Sequence, residues 1–190
     1  VSTFSFNGNK IVTTGGGGML LTDDATLADY ARHLSTQAKS HPIEYQHDEV
    51  GFNYRMPALN AALGLAQLER LPQFLTRKRE VFERYNAAFA HTPQVCPFRP
   101  ALHGLEPNHW LYTVAAERSR ELEAHLRGLG IETRKLWQPL PQQQAFADLH
   151  EQDYPVAASV YEASLSLPCS TGITDAELEE VVAAIKEFYR

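Results

Sequence analysis

Long apolar runs are missing from this 190-residue chain. None approaches the roughly 20 residues that a membrane-spanning helix requires, so no membrane role is expected. Cysteine is scarce: Cys96 and Cys169 lie far apart and fit no metal-binding spacing, and free buried or half-buried thiols in a cytoplasmic protein are expected. Positive charge is short, with 17 Lys and Arg against 23 Asp and Glu and a formal charge of −6. That balance argues against a general nucleic-acid surface and makes any anionic ligand depend on local cations. The eight histidines (His33, His41, His47, His91, His103, His109, His125 and His150) are scattered without paired ligand spacing, and no metal site is expected. Two nucleotide signatures are lacking as well. Thr13-Thr14-Gly15-Gly16-Gly17-Gly18 leads into Met19-Leu20-Leu21 where a P-loop would continue Gly-Lys-Ser/Thr. No Gly-x-Gly-x-x-Gly stands between a strand and a helix with an acid about twenty residues on.

What is present is globular in make-up, 44% hydrophobic and 21% charged, with no repeats or low-complexity tracts. Its length suits one sizeable domain or the ends of two. Near the start, Lys10 sits between a strand-like run and the glycine cluster, after Asn7-Gly8-Asn9, residues that tolerate left-handed backbone angles. A lysine on a chain reversal, with the Ser5 hydroxyl before it and small residues after it, suits a Schiff base to pyridoxal phosphate (PLP), with hydroxyl and backbone N–H groups on the phosphate. On these residues alone, a solvated hairpin lysine and a Ser5 that caps its own turn remain open.

Phe4–Phe6 and Gly18–Thr22 read as short strands either side of that turn. Asp23-Asp24 offers an N-cap to a helix over Ala25–Gln37, with Leu27, Tyr30, Ala31 and Leu34 on one face. Residues 38–55 form a polar loop of a length that is uncommon unless it binds something. A helix follows Pro57, with Ala58, Ala61, Ala62, Leu65, Leu68 and Leu71 as its apolar stripe. Pro72 kinks or restarts it, and Leu75, Phe82, Tyr85 and Phe89 continue as a core face. Further on come a strand at Trp110–Ala115, a helix at Ser119–Leu129 with Leu122, Leu126 and Leu129 inward, a Gly130 C-cap and a strand at Ile131–Arg134. After a Pro/Gln-rich loop at 138–144, Pro155–Ala163 reads as helical and Leu165–Leu167 as extended. Thr174 and Glu177 form a capping box for a last helix with Leu178, Val181, Val182, Ile185 and Phe188 in its stripe.

The words Ser5-Phe6-Asn7-Gly8-Asn9-Lys10 and Thr13-Thr14-Gly15, then His47-Asp48-Glu49-Val50-Gly51-Phe52-Asn53-Tyr54-Arg55-Met56, resemble the DegT/StrS family of PLP-dependent nucleotide-sugar aminotransferases. Within it, Gly8 to Gly18 resembles the branch that serves nonulosonic acids such as legionaminic acid. The likeness extends through Leu59 to Glu69, Trp110-Leu111-Tyr112, Gly130 to Thr133 and Leu165 to Pro168. Many members carry Glu where this chain has Gly16. Members are about twice this length, so the resemblance implies a C-terminal half whose pyridine-nitrogen carboxylate and ring-stacking aromatic lie upstream.

The implied fold class is α/β, aspartate-aminotransferase-like (PLP fold type I). Residues 1–56 would end the large PLP-binding domain, and 57–190 would form a bridging helix and an α+β small domain. The resemblance implies PLP as cofactor, Lys10 as catalytic and cofactor-binding residue, and Ser5 and Asn53 on the phosphate, Asn53 reaching the partner subunit's site in a homodimer. Arg55, His47 and Tyr54 would contact substrate. The implied reaction passes an amino group from an amino acid, glutamate, to the C4 keto carbon of a nucleotide-linked deoxysugar, for cell-surface glycan biosynthesis. Relatives with histidine at the lysine position are dehydratases, so Lys10 points to the aminotransferase. The alternative is a non-catalytic dimerisation or binding fragment that lacks the upstream cofactor groups.

Overall fold

The computed structural model describes residues 1–98, 104–149 and 154–190; His103 and His150 of the histidine set lie outside them. The chain separates into two compact units, Val1–Pro72 and Gln73–Arg190. Among the described residues no helix is long and apolar enough to cross a membrane.

In the first unit β1 (Ser2–Ser5) and β2 (Gly18–Leu21) pair antiparallel, from Ser2 opposite Leu21 to Ser5 opposite Gly18. Gly18 is required there, because a Cβ would lie 2.5 Å from the Phe4 carbonyl oxygen. Helix α1 (Ala25–Ser35) starts on the Asp24 carboxylate, which accepts from the Leu27 N–H, so the expected N-cap is present. The helix stops two residues before the expected Gln37. Gln37 and Ala38 take positive φ angles of 68° and 48° and turn the chain back along the helix end. Helix α2 (Ala58–Leu68) follows Pro57, and α3 (Leu71–Phe89) carries Pro72 in its first turn, where the missing N–H costs nothing.

The stripe expected to bury α2 does not do so in this chain. Ala58, Ala61, Ala62, Leu65 and Leu68 are exposed, and Gly64 alone is buried. The helix is apolar around most of its circumference, so a stripe can be drawn on either side. The side that packs within the unit is the polar and small one, Asn60, Gly64 and Gln67. These three are spaced at about one turn and therefore line one face. Contacts from this face to Thr13 and Thr14 explain why α2 groups with residues 1–56, and the unit boundary falls after Pro72.

The second unit is a three-stranded antiparallel sheet in the order β3 (Val95–Pro97), β4 (Tyr112–Ala116), β5 (Ser164–Leu167), with α3, α4 (Ser119–Gly128) and α6 (Asp175–Phe188) contributing to one core. Helix α5 (Pro155–Ala163) leads directly into β5. Along β4, Tyr112, Val114 and Ala116 face inward and alternate with half-buried residues, as a strand with one covered face must. Val81, Tyr85 and Phe89 of α3, Leu122 and Leu126 of α4, and Leu178, Val181 and Ile185 of α6 fill the core.

Several expectations are revised here. β3 was not anticipated, since Val95-Cys96-Pro97 has no alternation to mark it. Ile131–Arg134 is not a strand: one isolated bridge joins Arg134 to Ser166. Leu129 is exposed because α4 ends at Gly128 and Gly130, at φ 79°, turns the chain away. The thiols are free, but Cys96 is exposed, with Cys169 buried.

Candidate active site

Residues 6–17 form a wide loop closed by the last β1–β2 pair. Its stem is extended by Phe6 N–H donating to the Gly17 carbonyl and Thr14 N–H to the Phe6 carbonyl, both at 3.0 Å. At the tip, Lys10 N–H donates to the Asn7 carbonyl at 3.0 Å, which makes Asn7–Lys10 the predicted reversal. Lys10 is half-buried. The Ser5 hydroxyl accepts from Asn7 N–H at 3.4 Å, a long contact of the turn-capping kind; the oxygen is otherwise at the surface.

Thr13 and Thr14 hold the far side of this loop. The Thr13 hydroxyl donates to the Phe6 carbonyl at 3.0 Å and accepts from Gly15 N–H at 2.9 Å. Thr13 N–H donates to Gln67 Oε1 at 2.9 Å, and Asn60 Nδ2 donates to the Thr14 carbonyl at 2.6 Å. Thr14 is 2% exposed, its hydroxyl bonded to the Gly16 carbonyl and its methyl against Gly64. Gly15 and Gly17 adopt φ of 80° and 86°, a region other residues rarely enter. Two side chains that sequence reasoning left without a role, Asn60 and Gln67, thus clamp the lysine loop. The signal that could have revealed them is two amides one face apart on an otherwise apolar helix.

The second group of candidates lies on residues 38–55, which are folded back on α1. Phe52 N–H donates to the Leu34 carbonyl at 2.7 Å, Gln37 N–H to Phe52 and Tyr54 N–H to Ser35, both at 3.0 Å. Bridges join Thr36 to Asn53 and Lys39 to His47. His47 Nδ1–H donates to the Gln37 carbonyl at 2.7 Å, which sets its tautomer. Gly51 is wedged so closely on the Gln37–Ala38 peptide that a Cβ would come within 2.3 Å of it. Asn53, Tyr54 and Arg55 are exposed, Tyr54 stacked on Phe52 at 5.0 Å. The structure therefore gathers His47, Asn53, Tyr54 and Arg55 on one loop, and sets Ser5 at the end of β1 where the loop that carries Lys10 begins. Met56 connects the two, its Cε lying 3.5 Å from the Cβ position of Gly17.

A latch of four ionisable groups fastens the second loop. His33 on α1 lies 2.7 Å from Asp48 and 3.8 Å from Glu49, and Glu49 also accepts from the Tyr30 hydroxyl at 2.9 Å. The hydrogen bond from His33 lowers the Asp48 pKa, and Glu49 beside the Tyr30 hydroxyl raises that of the phenol. Spacing in the sequence did not point to this cluster, because α1 and the loop supply its members separately.

The chain belongs to the DegT/DnrJ/EryC1/StrS aminotransferase family, whose model matches residues 1–186. It is similar to the GDP-perosamine synthase of Escherichia coli O157:H7, at 35% identity over all of this chain and 52% of that protein. Among solved structures it is similar to the aminotransferase TlmJ of Streptoalloteichus hindustanus, with a TM-score of 0.90 and 29% identity over 97% of this chain and 50% of that one. Spr1654 of Streptococcus pneumoniae in its PLP-form superposes with a TM-score of 0.87 at 27% identity, again over 97% and 50%. The α/β fold expected from the sequence is the fold of these proteins, and the chain spans about half their length.

Proposed function

We propose that this chain carries the lysine-bearing half of a PLP-dependent aminotransferase. The enzyme moves an amino group from glutamate to the C4 keto carbon of a nucleotide-linked deoxysugar, in the cytoplasm, for cell-surface glycan biosynthesis. The observation that carries this reading is the half-buried Lys10 on a loop closed at Ser5–Gly18 and clamped at Thr13–Thr14, in a chain of the sugar-aminotransferase family. A similar structure in a PLP-form supports the cofactor, and a similar GDP-perosamine synthase supports a nucleotide-sugar substrate.

The donor set fits PLP. The Lys10 amine and backbone N–H groups of one loop adjoin the surface hydroxyl of Ser5 at the end of β1, and at Gly8 and Gly16 a Cβ would meet nothing within 4 Å, which leaves room for a phosphate. When bound, the cofactor supplies an electron sink for bond changes at the substrate carbon. Lys10 holds it covalently and, once displaced by the substrate amine, carries a proton to and from that carbon. An arginine could do neither, since its guanidinium stays protonated. Ser5 donates its O–H to the phosphate while its oxygen keeps accepting from the Asn7 N–H. Asn53 reaches the phosphate of a second copy in a homodimer, and Arg55, His47 and Tyr54 hold the nucleotide-sugar. Residues 1–56 end the PLP-binding domain, and 57–190 form the bridging helix and small domain.

Borohydride reduction of the PLP-treated full-length protein, followed by peptide mass spectrometry, tests this. The expected result is a pyridoxyl group on Lys10, lost in a folded Lys10→Ala variant together with turnover of a nucleotide-linked 4-keto-6-deoxyhexose. Labelling of a different lysine, or more than a few per cent residual turnover, overturns the assignment. A second reading, a non-catalytic dimerisation fragment, draws on the exposed leucines of α2, Leu59 at 83% foremost. An absorbance band near that of a PLP–lysine adduct in the isolated 190-residue chain would decide against it.

A further inference from the structure

Among the described residues Lys78 is the charged side chain that is buried, at 3% exposure, and nothing in the proposed reaction uses it. It lies on α3, facing the end of β5. Its amine donates to the Trp110 carbonyl at 2.8 Å, to the Cys169 carbonyl at 2.5 Å and towards Cys169 Sγ at 3.3 Å, and none of these partners is a carboxylate. The sulfur receives a second donor, the Tyr112 N–H, also at 3.3 Å. Cys169 is itself 7% exposed.

We infer that Lys78 and Cys169 form a covalent modification site, closing a reversible sulfur–nitrogen crosslink when a peroxide oxidises the thiol. In the first step the sulfur attacks the peroxide; the O–O bond breaks, the sulfur keeps one oxygen as a sulfenic acid and water leaves. In the second, the neutral amine attacks the sulfur, the S–N bond forms, the S–O bond breaks, and the departing hydroxide takes a proton from nitrogen as a second water. One thiol, one amine and one peroxide become one sulfenamide and two waters. Sulfenic acids condense with backbone nitrogen to sulfenamides, and an amine is the better nucleophile of the two.

Three features favour the step. The partner nitrogen is already in van der Waals contact and held there by two carbonyls. Burial pushes the Lys78 pKa down from its ordinary value and so enlarges the neutral fraction able to attack. The enclosed sulfur leaves a sulfenic acid no competing thiol, since Cys96 is exposed on β3 and Cys169 is buried.

The test treats the 190-residue chain with hydrogen peroxide, blocks remaining thiols, and cleaves after glutamate without reductant. The expected product joins the peptides 70–80 and 163–177 at a mass two hydrogens below their sum, and dithiothreitol restores the separate peptides. Lys78→Arg, checked for folding by circular dichroism, should lose the product, whereas Cys96→Ser should keep it. A chain of native spectrum in which Cys169 stays a free thiol while Cys96 oxidises overturns the proposal. So does oxidation of Cys169 to the sulfinic acid with Lys78 unmodified.

Discussion

Replacing Gly64 by alanine tests whether α2 holds the lysine loop in place. In an open helix the change should stabilise by about 1 kcal/mol, because alanine has the better helix propensity. Here the added Cβ would lie 2.7 Å from the Thr14 methyl, inside the closest approach that carbon atoms tolerate. Thr14 cannot swing aside freely. It is buried, its hydroxyl is bonded to Gly16, and its carbonyl accepts from Asn60. Overpacking of this kind costs about 1–3 kcal/mol, so the net effect is a destabilisation of about 0–2 kcal/mol. It should appear locally, as faster amide exchange at Thr13 and Thr14, whose N–H groups bond to Gln67 and Phe6. Thr14→Ser removes the offending methyl and keeps the hydroxyl. The double variant Gly64→Ala/Thr14→Ser should therefore recover most of the loss, with a coupling of about 1 kcal/mol or more. Exchange by mass spectrometry across residues 6–17, with urea denaturation alongside, reads both quantities. If Gly64→Ala alone stabilises the chain, or the two changes simply add, the clamp is not tight and the argument fails.

Mixing a Lys10→Ala full-length protein with an Asn53→Ala one should restore activity in the heterodimer, since one of its two sites is then intact; heterodimers that form without activity would refute a shared site. In the second unit, Asp175 is lowered in pKa by Arg77 and Arg84, and Glu177 by the Thr174 backbone N–H and hydroxyl. Carboxylates with depressed folded values contribute stability that is complete above the ordinary range, about 4, and lost as pH falls through those values, so Asp175→Asn should flatten acid unfolding below about pH 4. Thr174→Ala removes the capping box of α6 and should cost about 1 kcal/mol in urea melts. Gln67→Leu should keep α2 helical yet speed exchange at Thr13 N–H; unchanged exchange would show that the amide does not hold the loop.

Much of the second unit could be written down from the chain alone because its signals are local. The capping box Thr174–Glu177, the 3.6-residue stripe of α6 and the alternation of β4 each specify an element from residues next to one another. The misses share a cause. β3 is recognisable only through its pairing with β4, and the Ile131–Arg134 segment makes one bridge where its composition suggested a strand. Leu129 looked like the next member of a buried stripe, but the glycines at 128 and 130 ended the helix first.

At the candidate site the sequence determined the identities: an amine at Lys10 on a reversal, a hydroxyl at Ser5, and Asn53–Tyr54–Arg55 before a helix, in words shared with a family of sugar aminotransferases. Those follow from turn chemistry and motif spacing, which are properties of neighbours along the chain. Only the tertiary structure decided which face of α2 is used. Asn60, Gly64 and Gln67 are few and small, and an apolar helix looks as though it should bury its leucines. What selects their face is the set of unpaired polar groups on the loop. The Thr13 N–H and Thr14 carbonyl need partners once enclosed, and Gln67 and Asn60 supply them across 54 and 46 residues of chain. The same holds for the His33 latch and for Lys78 beside Cys169: each is a contact between distant segments, invisible until the backbone brings them together.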